Sequence, residues 1–140
     1  IILELIIQSS PSQLFLKAKN MANILIVDDS SSMRQMIKYT LELEGHKITE
    51  GENGTKGLEH ASKHSYDLVI TDVNMPEMNG IELTAKIREL DNYKSTPLLL
   101  LTTESSSDKK KQGKNAGATG WLIKPFDPTK LIQVVEKVLR

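Results

Sequence analysis

Asn23-Ile24-Leu25-Ile26-Val27-Asp28-Asp29 decides the fold: an apolar run of strand length that stops at two carboxylates. The pattern returns three times. Asp67-Leu-Val-Ile-Thr71 runs into Asp72, Pro97-Leu-Leu-Leu-Leu101 into Thr102-Thr103, and Thr119-Gly-Trp-Leu-Ile123 into Lys124-Pro125. These runs lack polar alternation, as expected of strands covered on both faces. Segments of helical period separate them, so the chain reads as βα units around a parallel sheet. The C-terminal ends of parallel strands share one edge, where open α/β sheets bind ligands. The expected product is an acidic pocket with a hydroxyl and an ammonium group, suited to a divalent cation and a phosphoryl group.

The intervening segments support this reading. After Ser30-Ser31-Ser32, the residues Met33, Met36, Ile37, Thr40 and Leu41 make one helical stripe. Gly45 stands where a left-handed C-terminal cap belongs. The second strand is the faintest and is placed around Lys47 to Thr49. Asn53 to Lys63 carries a weak helix with Leu58 and Ala61 as its core residues. Ile81 to Leu90 carries another, with Leu83, Ile87 and Leu90 on one side. The last helix takes Asp127 as N-cap and Pro128 as its first residue. Its apolar face is Leu131, Ile132, Val134, Val135, Val138 and Leu139. Ser105 to Ala116 is the odd one, with Lys109, Lys110, Lys111 and Lys114, an interior Gly113 and almost no apolar stripe. A helix with little to bury gains little from packing, so this one is expected to be the least firmly anchored.

A chain of 140 residues has room for one domain with a real core. Apolar content of 39% and charged content of 26% are ordinary for a globular protein. The net charge is zero, without the positive footprint of a nucleic-acid binder. Cysteine is absent, which excludes disulfides and thiolate metal sites and agrees with a cytoplasmic setting. Residues 1–20 read as an N-terminal extension outside the fold, with Met21 as the natural start and 21–140 as the domain. The rival reading is an arm that docks on a partner through its apolar residues. Ile1 to Ile7 is too short to span a bilayer, so no membrane insertion is expected. The lack of a tail after Arg140 is read against a fragment of a DNA-binding regulator, unless the chain is truncated.

Three carboxylates at one rim repel; a pair at 4 Å costs about 4 kcal/mol at an effective dielectric near 20. Something must offset that. Oxygen donors without cysteine favour Mg²⁺ over zinc, and magnesium leaves positions for phosphate oxygens. Lys124 supplies a second counter-charge. Thr102 can hydrogen-bond another phosphate oxygen, and Asp72 can act as nucleophile towards phosphorus. Such transfer needs little beyond positioning and charge neutralisation.

Val27-Asp28-Asp29-Ser30, Thr71-Asp72-Val73-Asn74-Met75-Pro76, Leu101-Thr102 and Lys124-Pro125-Phe126 together resemble the receiver domains of bacterial two-component response regulators. Within that family the chain is most similar to the single-domain chemotaxis regulators of the CheY type. The resemblance covers residues 21–140. It implies a flavodoxin-like, doubly wound sheet of five parallel strands in the order 2-1-3-4-5, with five helices. It implies Asp72 as phosphoryl acceptor, Asp29 and Asp72 as direct Mg²⁺ ligands, the Asn74 carbonyl as a further ligand, and Asp28 acting through water. Lys124 would pair with the phosphate across a cis bond to Pro125, Thr102 would be the switch hydroxyl, and Trp121 would stand at the switch aromatic. Trp is larger than the usual Tyr or Phe. The implied partners are a histidine kinase as donor, a flagellar motor switch protein as target, and a phosphatase. The protein would be a switch that catalyses its own phosphorylation and dephosphorylation, not an enzyme with a separate substrate.

Other functions remain in view. One is a phosphorelay intermediate or phosphate sink without an output partner. Another is a Mg²⁺ phosphohydrolase, although Val73-Asn74 after Asp72 lacks the second acid such enzymes use. No Gly-rich nucleotide loop is present. His60 and His64 share a helix face by spacing but lack a third ligand, so they read as a solvated pair. His46 reads as a surface loop residue.

Overall fold

The apolar runs after Asn23, Asp67 and Pro97 become strands walled in on both sides. The computed structural model describes residues 21–104 and 106–140. Strands β1 (Asn23–Val27), β2 (Lys47–Gly51), β3 (Leu68–Asp72), β4 (Leu98–Thr102) and β5 (Gly120–Ile123) alternate with helices α1 (Ser31–Leu43), α2 (Gly54–Lys63), α3 (Gly80–Arg88), α4 (Ser107–Ala116) and α5 (Pro128–Val138). All strand pairs are parallel, in the order β2-β1-β3-β4-β5. This is the CheY-like flavodoxin fold, with the strand order the resemblance implied. β3 and β4 are buried along their whole length.

Pleating sends alternate side chains into two separate cores. Ile24, Ile26, Leu68, Ile70, Leu99 and Leu101 pack with Ile37 and Leu41 of α1 and Leu131 and Val135 of α5. Leu25, Val27, Val69, Leu98 and Leu100 pack with Ala61 of α2 and Leu83 and Ile87 of α3. At about 25 cal/mol per Å² of apolar surface, these two layers supply most of the drive to fold. The helix ends are closed by local caps, those at Asp127 and Gly45 as the sequence suggests. Ser30 caps α1, Asn53 caps α2 and Asp127 caps α5 with Pro128 following, while Gly45 takes φ 93°.

Several readings need revision. α1 begins inside the serine triplet, taking in Ser31 and Ser32. β2 continues to Gly51. α3 ends at Arg88, whose guanidinium donates to the carbonyls of Tyr93, Thr96 and Gly117, and Leu90 packs from the loop beyond. α4 starts at Ser107 with Ser106 as its cap; Ser105 and the readings on residues 1–20 lie outside the described residues. His46 is not a surface residue. It is buried, its Nδ1 accepts the Ala22 N–H at 3.1 Å, and burial holds its pKa below the ordinary value.

Only Gly113 is buried among the residues of α4, in agreement with the expectation of a lightly anchored helix. That glycine is what lets α4 approach the sheet. A Cβ at position 113 would lie 2.7 Å from Leu100 Cδ1 and 3.0 Å from Trp121 Cζ3.

Candidate functional site

Four strand ends deliver the site. Asp28 follows β1 and is fully buried; its Oδ1 accepts the Ser30 N–H at 2.9 Å and its Oδ2 accepts from Lys124 Nζ at 3.2 Å. Asp72 closes β3, is 6% exposed, and its Oδ1 lies 3.2 Å from the same ammonium. Asp29 is exposed to solvent beside them. One oxygen from each of Asp28, Asp29 and Asp72 lies within 4.8 Å of the others. Lys124 leaves β5 with its N–H on the Thr102 carbonyl at 2.8 Å and a cis bond to Pro125. The closely packed main chain also requires Gly80, where a Cβ would fall 2.0 Å from the Asp72 carbonyl oxygen.

The electrostatics are unfinished. Burial, and then the neighbouring Asp28 carboxylate, push the Asp72 carboxyl above its usual range, with Lys124 opposing. One lysine therefore faces two buried carboxylates and an exposed third. Hard oxygen donors crowded around a net negative charge fit a divalent cation of the magnesium or calcium class. That is a match of donor chemistry to ion, made by these residues themselves.

Thr102 ends β4 one register step beyond the Asp72–Leu101 pair and is 1% exposed. Its Oγ1 accepts the Glu104 N–H at 3.0 Å, which leaves the hydroxyl proton free to be donated. Asn74 lies in the exposed loop after β3, two residues past Asp72. Trp121 is set apart from the acidic cluster. It pairs with Leu100 in register and packs in the α2–α3 core, and its buried Nε1–H has no hydrogen-bond partner among the described residues. His60 and His64 do not form a pair on one helix face, because His64 is the extended residue that ends α2. Among the described residues, Asp28, Asp29 and Asp72 form the one cluster of three metal-capable groups.

Sequence reasoning missed Arg34 and Glu50. Arg34 donates from Nη1 to the Asp28 carbonyl at 2.6 Å and from Nε to Glu50 Oε1 at 3.2 Å. Neither side chain is in a strand-end motif, and nothing in their spacing marks the pair.

Comparison with known proteins agrees with the geometry. The family model described as the response regulator receiver domain matches residues 24–136. The transcriptional regulatory protein SrrA of Staphylococcus aureus is 36% identical over 117 residues, covering 84% of this chain and 47% of SrrA. The chain thus spans about half the length of the curated relatives it matches. The solved structure of the chemotaxis protein CheY4 of Vibrio cholerae is 47% identical, with a TM-score of 0.82, covering 84% of this chain and 98% of CheY4. A response regulator structure from Chloroflexus aurantiacus is 31% identical, with a TM-score of 0.80, covering 85% of this chain and 98% of that one.

Proposed function

This chain belongs to the response regulator receiver domain family of two-component systems, and on that premise we propose that it is a chemotaxis switch that carries a phosphoryl group on Asp72. The observation behind the reading is the convergence of Asp28, Asp29 and Asp72 with Lys124 bridging two of them. The donor is a phosphohistidine of a histidine kinase. An Asp72 carboxylate oxygen attacks phosphorus, the P–N bond breaks, and the histidine nitrogen leaves with the electron pair. Asp28, Asp29 and Asp72, with the Asn74 carbonyl, would hold Mg²⁺. Its contribution when bound is to neutralise the crowded carboxylates and the phosphoryl oxygens. Lys124 is already poised 3.2 Å from Asp72 Oδ1 and pairs with the transferred group. Thr102 turns its free hydroxyl proton towards a phosphoryl oxygen.

The new charge then biases the surface around α4, β5 and α5. α4 suits that role because one buried glycine is its only fully buried residue, so its displacement costs little packing. Water later hydrolyses the acyl phosphate and resets the switch, with a phosphatase as the partner that speeds this step. The protein processes no separate substrate in this scheme. Among the described residues no helix is long and apolar enough to cross a membrane; in this scheme the protein acts beside a kinase in the cytoplasm. The similarity to CheY4 supports a flagellar motor switch protein as the target.

Acetyl phosphate with Mg²⁺ tests the chemistry. Intact mass of the wild type should rise by one phosphoryl group, while Asp72→Asn should take up none; equal labelling of both would end this reading. Capture of flagellar switch components with and without beryllofluoride tests the output. Phosphorylation without capture would move the protein to a relay or sink role.

A further inference from the structure

Asp29 is the exposed member of the acidic cluster, and among the described residues no hydrogen bond or ion pair holds its carboxylate. Its aim is therefore set by the main chain that carries it. The peptide joining Asp28 to Asp29 is planar, so the Asp28 carbonyl oxygen fixes the orientation of the plane from which Asp29 projects. That oxygen accepts from Arg34 Nη1 at 2.6 Å. On the other side, the Asp28 N–H is tied to the Gly51 carbonyl at 3.2 Å.

Arg34 is itself held in place. Its own N–H donates to the Ser30 carbonyl at 3.0 Å, so α1 fixes its backbone. Its Nε binds Glu50 Oε1 at 3.2 Å, and Lys38 holds the other Glu50 oxygen at 3.5 Å. The Arg34 side chain is only 16% exposed. A rigid guanidinium fork can bridge a carboxylate and a carbonyl at once, which an ammonium cannot do in the same geometry.

We infer that Arg34, locked by Glu50, is a positioning residue that aims Asp29 and thereby sets the cation affinity and ion choice of the acidic rim. The inference rests on the proposed reading of that rim as a cation site. Magnesium demands near-octahedral geometry at short distances, whereas calcium tolerates a looser shell. Loss of the aim should therefore penalise magnesium more than calcium. A change that merely loosens the fold would weaken both ions alike.

The test titrates the full chain with MgCl₂ and with CaCl₂ by calorimetry, and follows urea unfolding in EDTA alongside. Arg34→Ala should weaken Mg²⁺ binding about tenfold, the lower bound for loss of an outer positioning contact. Ca²⁺ binding should change by about twofold or less, given its tolerance of geometry. Arg34→Lys should lose most of the same preference. Glu50→Gln should produce a smaller version, and adding it to Arg34→Ala should change nothing further, because Glu50 acts through Arg34. If Arg34→Ala does not fold, Arg34→Lys and Glu50→Gln carry the test. Unchanged magnesium affinity in these variants, or equal losses for both ions, overturns the inference alone. A wild type that binds neither ion overturns the cation-site reading, and this inference with it.

Discussion

The two ends of the same sheet are built on opposite principles. At the N-terminal edge, strand amides are answered within the protein: the Ala22 N–H by His46 Nδ1, the Asn23 N–H by Asp67 Oδ2 at 2.8 Å, and the Leu98 N–H by the Thr119 hydroxyl at 3.0 Å. At the C-terminal rim, three carboxylates crowd together and one lysine reaches only Asp28 and Asp72. The first edge is paired at these positions as folded. The second holds charge that an added cation or phosphate would balance differently, so the molecule's free energy is least settled where its chemistry is placed. Strand ends can carry such a burden because the strands beneath them are fully buried and do not yield.

The largest test of that contrast is Lys124→Met. The variant leaves a fully buried Asp28 and a nearly buried Asp72 facing each other without the ammonium between them. Removing one partner of a buried ion pair costs about 3 kcal/mol or more. Urea unfolding in EDTA should show that loss, and excess Mg²⁺ should restore part of it. A change below about 0.5 kcal/mol, the ordinary effect of a surface substitution, would mean that the rim is not desolvated at all.

Asp72→Asn should act in the opposite direction. It removes a carboxyl that burial and Asp28 already push towards its neutral form, and it keeps the shape. The cation-free protein should gain about 1 kcal/mol, at the low end of what neutralising a buried charged site returns. The gain should shrink as Mg²⁺ is added, since the ion would offset the same repulsion in the wild type. A loss of stability in EDTA would show that Lys124 already satisfies the rim.

What could be read from the chain follows the same division. The strands were legible because burial on both faces demands an uninterrupted apolar run, and β1, β3 and β4 meet that demand residue by residue. The caps at Asp127 and Gly45 were legible because capping is local. Asp28, Asp29, Asp72 and Lys124 were legible as strand-end residues once the strands were parallel. Boundaries such as the start of α1 and the end of β2 missed by a few residues, and the larger failures are non-local. His46 is buried by Ala22, which lies 24 residues earlier, and no local pattern announces that. Arg34 reaches Glu50 across 16 residues. Gly113 reads as a weakness of its helix, about 1 kcal/mol against alanine; only the positions of Leu100 and Trp121 reveal that a larger residue would not fit. α3 stops two residues short of Leu90, and Arg88 at its end donates to carbonyls on later segments that its local sequence does not announce.

His46 gives the smallest effect and the cleanest probe of the N-terminal edge. Burial lowers its pKa, while the carboxylates of Glu44 and Glu136 pull the other way. The neutral ring accepts the Ala22 N–H through Nδ1; a protonated ring would place a donor there and lose that bond. The unfolded chain binds the proton near pH 6.5, and the folded chain only at lower pH. The contribution of His46 is therefore fully present above pH 6.5 and is lost as pH falls through the folded value. The slope can reach about 1.4 kcal/mol per pH unit for a single proton. His46→Asn keeps an acceptor for Ala22 without a titrating ring. The difference in unfolding free energy between wild type and variant should be constant well above the ordinary histidine value of about 6.5 and should close or reverse as pH falls through and below it. A difference that stays constant across that window would show that both edges of the sheet are equally open to water, and the contrast between them would fail.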